Sequence, residues 1–235
     1  LTPPAIAGGE VTVLKGQTLS YAQPLNWLWI TLLRGFFGIT PDDPNAKQKF
    51  DKVIEDNEEL KYASPFLAEL LSIPNDDPRL KFLDHEGKQR ETLNAIRDLV
   101  QHVGSQDRTI VILEDLHWMD NSSKEALEFV LANCETEFPI LFLFLYRPDS
   151  EVDIPTVSEE ICLGTIDDDS CLSLIESMLG RSSSDVEDFL LKHSQGNPFF
   201  LEEFILDMIE SGDMKEDDGT WQLNTDAANI EIPTS

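Results

Sequence analysis

The chain has 235 residues, 41% apolar and 26% charged, so it can bury a substantial core and does not have the composition of a disordered protein. Its 17 Lys and Arg residues against 45 Asp and Glu residues give a formal net charge of −28. A field of this sign repels phosphate backbones and anionic lipid, which excludes direct nucleic-acid binding over a broad surface.

The sequence favours a cytoplasmic protein without a membrane partner. Its first 30 residues lack the pattern of a signal peptide, and no apolar run reaches the roughly 18 residues of a membrane span. Cys134, Cys162 and Cys171 are odd in number and lack metal-ligand spacing. We therefore expect three free thiols in a reducing compartment.

The first half of the chain predicts one strand followed by helices. Pro24 is expected at a first helical position, and Gly104 is expected to cap the helix before it. In chain order, the predicted elements are a strand at 11–17, helices at 24–37 and from Asp43 to near Leu60, a short apolar turn at 65–73 and an amphipathic helix at 85–103.

Three continuous apolar runs predict a parallel sheet. They are TIVIL at 109–113, PILFLFLY at 139–146 and the short ICLG at 161–164. A continuous run, as opposed to an alternating one, indicates a strand that is buried on both faces, as in α/β proteins. A helix from Ser122 to Asn133, headed by a Ser122 and Glu125 capping box, separates the first two runs. The predicted fold class is therefore α/β with helices over the sheet.

Beyond residue 165 the pattern becomes helical. Helices are predicted at 168–179, 184–193 and 198–211, the second capped by Ser184 with Glu187 and the third by Asn197 before Pro198. Gly212 is expected to end the third helix. Asp218-Gly219 then predicts the turn of a hairpin.

The segment TIVILEDLHWMD at 109–120 contains the candidate residues for metal binding and catalysis. Its strand ends in two adjacent acids, Glu114 and Asp115, and ligands of open parallel sheets bind beyond the carboxyl ends of strands. One carboxylate can hold Mg²⁺ while the other orients water toward a γ-phosphate. The pair taken alone is also compatible with a strand that ends in solvent.

The residues ILEDLHWMDNSSKEAL resemble the extended Walker B segment of STAND-type ATPases, a branch of the AAA+ P-loop NTPases. The resemblance is to the predicted-ATPase modules that are joined to nucleotide cyclases, protein kinases and helix-turn-helix regulators. Further similar segments are VLKGQTLSYAQPLNWLW, LFLFLYRPD and HSQGNPFFLEEFILDMIESG. The matching positions are Glu114, Asp115, His117, Trp118, Asp120 and Ser122 or Ser123.

The resemblance implies a division of the chain and a set of roles. Residues 1–164 would be the α/β nucleotide-binding core, 165–213 a helical lid, and 214–235 a hairpin and linker to a following domain. Glu114 would hold Mg²⁺ indirectly and Asp115 would orient water, although the two roles can be exchanged. Arg147 would sense phosphate, with an ordinary strand-end salt bridge as the alternative. Gly196, Asn197 and Pro198 would contact ATP or ADP through the lid.

Three neighbouring residues of the motif have open alternatives. His117 and Trp118 either gate the two acids or pack beneath the sheet edge. Asp120 is either a supporting acid or a helix N-terminal charge, and the second interpretation is favoured. The aromatic stripe Phe199, Phe200 and Phe204 is expected in the core of the lid.

The phosphate cradle of such an ATPase, G-x-x-x-x-G-K-[ST], is absent from the sequence. In the family it lies just upstream of the first residues seen here, so we expect the first strand, the P-loop and the first helix to be missing. That strand would lie between the sensor-1 strand and the last strand. Its loss would leave a gap and unpaired edges, so the chain alone is expected to be inactive and incompletely stable.

Two classes of function remain open. The first is an ATPase module that switches a signal-transduction protein, with a covalently linked cyclase, kinase or transcription regulator as effector and with self-association that depends on nucleotide. The second is a catalytically silent module of the same fold that serves for interaction. A DNA-remodelling AAA+ ATPase is disfavoured by the charge and by the His117-Trp118 extension.

Overall fold

The computed structural model describes residues 11–21, 23–135, 137–148, 150, 152–154 and 159–224. By its internal contacts the chain divides into two compact units, Leu1–Glu160 and Ile161–Ser235, each with its own hydrophobic core. None of the helices in the described part is long and apolar enough to cross a membrane.

The first unit is a parallel sheet with helices, which confirms the α/β class. Its sheet contains β1 (Val11–Gln17), β2 (Arg108–Glu114) and β3 (Ile140–Phe144) in the order β1-β2-β3, with both neighbouring pairs parallel. Helical crossovers link the strands, as parallel pairing requires. The helices are α1 (Trp27–Phe37), α2 (Ala46–Asp56), α3 (Ser64–Leu70), α4 (Arg79–Phe82), α5 (His85–Gln106) and α6 (Asn121–Asn133), with short 3-10 turns at Glu58–Lys61 and Leu116–Trp118.

The second unit is a small helical domain with a hairpin. It contains α7 (Asp168–Leu179), α8 (Ser184–Ser194), α9 (Pro198–Ser211) and the antiparallel strands β4 (Met214–Asp217) and β5 (Thr220–Leu223). Asn197 caps α9, Gly212 ends it in a left-handed conformation, and Asp218-Gly219 forms the hairpin turn, as predicted. The cap of α8 is Ser183, one residue before the predicted Ser184.

The two faces of the sheet differ, and the prediction that its strands are buried on both faces is wrong for the described residues. In-register residues of a sheet point to the same face. On one face Leu14, Val111 and Leu113 belong to the helix-packed core and are at most 3% exposed. On the other face, the side chains of Leu141 and Leu143 in β3 and of Leu145 just after it stay open, because no described helix covers them. They are 60%, 46% and 41% exposed.

The predicted short strand at 161–164 is also wrong. These residues form no regular element, and Ile161 and Leu163 are 76% and 86% exposed. The run is apolar enough for a buried strand, but a strand forms only beside a partner that satisfies its N–H and C=O groups. No strand in the described part of the chain pairs with it.

Several predicted boundaries move for identifiable reasons. Helix α1 begins at Trp27 and not at Pro24, and the helix predicted from Asp43 breaks at Asn57. Gly104 lies inside α5 and is not its cap. A β-carbon there would lie 2.5 Å from Cδ1 of Ile140, so this glycine lets α5 approach β3.

The three cysteines are free thiols, as predicted, and the structure places them in different environments. Cys162 is exposed, Cys171 is buried, and Cys134 is partly buried. Burial raises the pKa of the Cys134 thiol to about 11 and also raises the pKa of Cys171. At pH 8 both of these groups are therefore protonated, and the thiolate is the reactive form.

We expect Ellman's reagent at pH 8 to modify one thiol per chain rapidly, namely Cys162, and the other two only upon unfolding. The Cys162→Ser variant should lose the rapid phase, whereas Cys134→Ser should keep it. A rapid phase of two thiols, or one that survives in Cys162→Ser, would contradict the environments described above.

Candidate functional site

The two predicted acids lie at the carboxyl edge of the middle strand. Glu114 is the last residue of β2, and Asp115 follows it. Gln17, the last residue of β1, is in register with Glu114. The pairing on the other side extends past β3, since the Leu145 N–H donates to the Leu113 carbonyl at 2.9 Å. The acids therefore lie where an open parallel sheet binds ligands.

Glu114 is held by a lysine of the neighbouring strand. The Lys15 ammonium lies 2.8 Å from the Glu114 carboxylate, and the two side chains are 53% and 26% exposed. Lys15 is in register with Ile112, two residues before Glu114, so both side chains emerge on the same face of the sheet. The pair is partly open to solvent, so it orients the carboxylate more than it stabilises the fold.

Asp115 has a backbone that few residues with a side chain adopt. Its φ of 58° and ψ of 33° lie in the left-handed region. Its side chain accepts a hydrogen bond from Nε2 of Gln17 at 2.9 Å, and its carbonyl accepts one from the hydroxyl of Thr18, which is 1% exposed. Aspartate tolerates this region better than most residues. The two contacts, more than the conformation, distinguish Asp115 from the other non-glycine residues with a positive φ, which are Asn26, Asp42, Ser72, Gln195 and Asp218.

His117 and Trp118 form a short 3-10 turn after the acids, with ring centres 4.9 Å apart. Both ring nitrogens of His117 are shielded from solvent, and no hydrogen-bond partner for them lies within the described residues. Trp118 is 43% exposed, and its carbonyl accepts from Nε2 of Gln23 at 2.8 Å. The imidazole thus packs inward and the indole outward, so the two residues do not share one environment.

Asp120 joins the start of two helices. Its carboxylate caps α6 by accepting from the backbone N–H and the hydroxyl of Ser123, at 2.9 and 2.6 Å. The same carboxylate accepts from the N–H groups of Asn26 and Trp27, at 3.1 and 3.3 Å, at the start of α1. The favoured interpretation as a helix N-terminal charge is confirmed, and the capping box predicted at Ser122 is replaced by this cap.

Arg147 lies at the same carboxyl edge, two residues after Leu145, and its side chain is exposed. The part of the chain that the structure describes contains no ion pair to Arg147, so the strand-end salt bridge is not found there. Its carbonyl accepts from the N–H of Ser150 at 3.1 Å, which turns the chain after the strand.

Gly196, Asn197 and Pro198 lie in the second unit, where each has a local structural role. Gly196 has φ of 74°, and its carbonyl accepts from the Ile166 N–H at 2.9 Å. The Asn197 side chain accepts from the Phe200 N–H at 3.2 Å, and Pro198 occupies the first turn of α9. These roles account for the three residue types without a ligand.

The aromatic stripe on α9 is only partly in the core. Phe204 is fully buried, and its ring centre lies 5.7 Å from that of Phe200, which packs against the core of the second unit. Phe199 is 70% exposed, so its predicted place in the core is wrong. It falls on the opposite side of the helix because 199 and 204 differ by five positions, which are not on one helical face.

The metal chemistry of the site rests on two carboxylates. Within the described residues, no group of three or more His, Cys, Asp or Glu side chains comes together in a way that could hold a metal ion. Glu114 and Asp115 offer oxygen ligands, which suit Mg²⁺, and this ion often takes only one or two carboxylates together with substrate phosphates and water. The two carboxylates are not a preformed metal cage, and they fit Mg²⁺ only as a partial donor set that other oxygen ligands would complete.

Sequence reasoning missed the residues that position the acids. Lys15, Gln17 and Thr18 come from β1 and its end, and Gln23 from the loop that follows. The available signal was the spacing of Lys15 and Gln17, which lie two positions apart and therefore on one face of a strand predicted in the same sheet as β2.

No protein-family model, no curated protein and no solved structure matches this chain. The chain is an α/β protein with a parallel sheet and helices.

Proposed function

We propose that the chain is part of an ATP-binding and ATP-hydrolysing regulatory module with a P-loop NTPase-like fold, belonging to a multidomain signal-transduction protein. The observation that carries the proposal is the acid pair at the carboxyl edge of the middle strand, with Asp115 in a left-handed conformation held by Gln17 and Thr18. A strand that merely ended in solvent would not need the two partners that hold Asp115 in place.

In this proposal each acid has one task. Glu114 would hold Mg²⁺, and the bound ion would supply positive charge to the phosphates during phosphoanhydride hydrolysis. Asp115 orients or deprotonates the attacking water, since Gln17 keeps its carboxylate in one place. Arg147, unpaired among the described residues, contacts phosphate. The nucleotide contact of Gly196, Asn197 and Pro198 rests on the family resemblance alone.

The outer edge of β3 supports the position of the missing phosphate cradle. No described strand pairs with this edge, and Leu141 and Leu143 are exposed beside it. A parallel strand followed by a helix would satisfy the edge and cover those leucines. A strand, loop and helix that carry G-x-x-x-x-G-K-[ST] would fit at this edge.

The second candidate is a catalytically silent module of the same fold. The ion pair between Lys15 and Glu114 favours it, because a carboxylate already neutralised at 2.8 Å is a weaker ligand for a cation. In either case the partners are a linked cyclase, kinase or transcription regulator, and exchange of ADP for ATP or self-association would provide the switch.

The test compares the 235-residue chain with the longer protein. We expect the chain alone to give no Mg-dependent ATP hydrolysis, because it lacks the lysine and the backbone N–H groups that bind triphosphate. In the longer protein, with the cradle within about 60 residues upstream, Asp115→Asn should lower kcat by at least about 100-fold.

The matched control is Asp107→Asn, the same change at the other end of β2, which should leave kcat unchanged. Turnover by the chain alone that vanishes in a Glu114→Ala, Asp115→Ala double variant would refute the missing-cradle part of the proposal. A longer protein that binds ATP without hydrolysing it would favour the silent module.

A further inference from the structure

A groove on the helical side of the first unit lies apart from the acids. It has a volume of about 290 Å³ and lies among α3, α4 and the start of α5. We call it the aromatic groove. The residues that define it are Tyr62, Phe66, Arg79, Phe82, Leu83 and Glu91.

Arg79 forms a fixed part of the groove wall. Its Nε and Nη2 donate to the two carboxylate oxygens of Asp77, both at 3.0 Å, and its Nη1 donates to the Tyr62 carbonyl at 3.0 Å. The guanidinium carbon lies 4.6 Å from the centre of the Tyr62 ring and 5.7 Å from that of Phe66. Hydrogen bonding from Arg79 lowers the pKa of Asp77, so the pair stays ionised and the arginine charge is already compensated.

The apolar wall of the groove is left open. Phe82 is 87% exposed and Tyr62 is 60% exposed, whereas Phe66 at the base is 1% exposed. Aromatic side chains that gather in an open groove offer a large contact area at a small cost in conformational entropy. Such a surface is typical of a site that accepts an apolar side chain from a partner.

The charge left over in the groove is negative. Glu91 lies on α5, is partly buried, and has neither an ion pair nor a hydrogen bond to its side chain among the described residues. Nearby Lys88 is 3.2 Å from Glu69 and is thus already engaged. A partly buried carboxylate without a partner favours a ligand that brings a cation.

We propose that the aromatic groove binds a short peptide segment of a partner protein in which an aromatic or aliphatic residue stands next to Lys or Arg. The apolar side chain packs against Tyr62 and Phe82, and the cation pairs with Glu91. The net charge of −28 attracts such a basic segment and opposes a second copy of this acidic chain as the occupant. The site goes beyond the proposed ATPase activity and does not depend on it.

The probe is the peptide acetyl-Ser-Phe-Leu-Lys-Ser-amide, titrated to 1 mM into the ¹⁵N-labelled 235-residue chain, with a Lys-to-Glu peptide as its control. We expect amide shift changes confined to the groove around Tyr62, Phe82 and Glu91. The Glu peptide should bind at least threefold more weakly. The Phe82→Ser and Glu91→Gln variants should each weaken binding of the Lys peptide at least threefold.

Two matched variants distinguish specific binding in the groove from non-specific binding to acidic or apolar parts of the surface. Glu86→Gln removes an exposed acid from the same helix, and Leu163→Ser removes an equally exposed apolar side chain elsewhere; neither should change the affinity. No shift change at 1 mM, changes outside the groove, or equal effects of Glu86→Gln and Glu91→Gln would overturn the proposal. Concentration-dependent dimerisation that Phe82→Ser abolishes would also overturn it, because the occupant would then be a second copy.

Discussion

Replacing Asp120 with alanine is expected to lower the free energy of unfolding of the first unit by about 3 kcal/mol, from the loss of a cap and of further satisfied donors. The carboxylate accepts from the backbone N–H groups of Asn26, Trp27 and Ser123 and from the Ser123 hydroxyl. Alanine accepts from none of these groups, so the starts of α1 and α6 both lose a partner. The lower free energy of unfolding should be measurable by urea unfolding that is monitored through tryptophan fluorescence.

Two choices make this measurement specific. A Trp221→Phe background removes the tryptophan of the second unit, so that Trp27, Trp29 and Trp118 report on the first. The control is Asp84→Ala, which removes the N-cap of α5, where the side chain accepts from the Gly87 N–H. We expect this change to cost about 1 kcal/mol. Equal losses for the two variants would mean that Asp120 is an ordinary cap.

In the second unit, Gly196→Ala should cost about 3 kcal/mol of stability, for two reasons that add. Gly196 has φ of 74°, where a side chain costs roughly 1–2 kcal/mol. A β-carbon there would also lie 2.5 Å from the carbonyl oxygen of Ile166, a backbone atom that cannot move aside cheaply. The Ile166 N–H donates to the Gly196 carbonyl, so the clash would also disturb this contact.

Gly212→Ala is the matched control, since Gly212 has φ of 81° but nothing within 4 Å of the added carbon. It should cost about 1 kcal/mol, the conformational part alone. Hydrogen exchange of peptides from residues 166–212, measured without nucleotide, reports the stability of the unit independently of any ligand contact. Similar exchange rates in the two variants would show that the close approach to Ile166 relaxes freely.

Local sequence patterns were sufficient to predict many of the helices and strands. Two elements are specified by patterns of neighbouring residues: β2 by the apolar run at 109–113, and α5 by the amphipathic spacing at 85–103. Both lie close to their predicted positions in the structure. Asn197 and Pro198 likewise specify the start of a helix, because the Asn197 side chain caps it and the Pro198 ring fits its first turn. Elements of this kind need little knowledge of what packs against them.

The remaining features depend on neighbours that one sequence does not reveal. Gly104 looks like a cap in sequence, but its purpose is the close approach of Ile140 from another element. The run at 161–164 has the composition of a strand and lacks a described partner. At the site, the two acids were predictable from their place after a strand. Lys15 and Gln17 were not, because their role follows from the register between two strands.

The open leucines of β3 and the acidity of the chain act in opposite directions on self-association. Paired strands lie about 4.8 Å apart, a distance within the Debye length of roughly 8 Å at physiological ionic strength. Two acidic chains meeting along this edge would therefore bring the like charges nearest to the contact into range of one another. Repulsion is expected to oppose such contact in dilute buffer, and added salt is expected to screen it. A rise in ionic strength should therefore favour contact between the exposed leucines of two chains, so the ionic strength is the condition to vary when the mass of the chain in solution is measured.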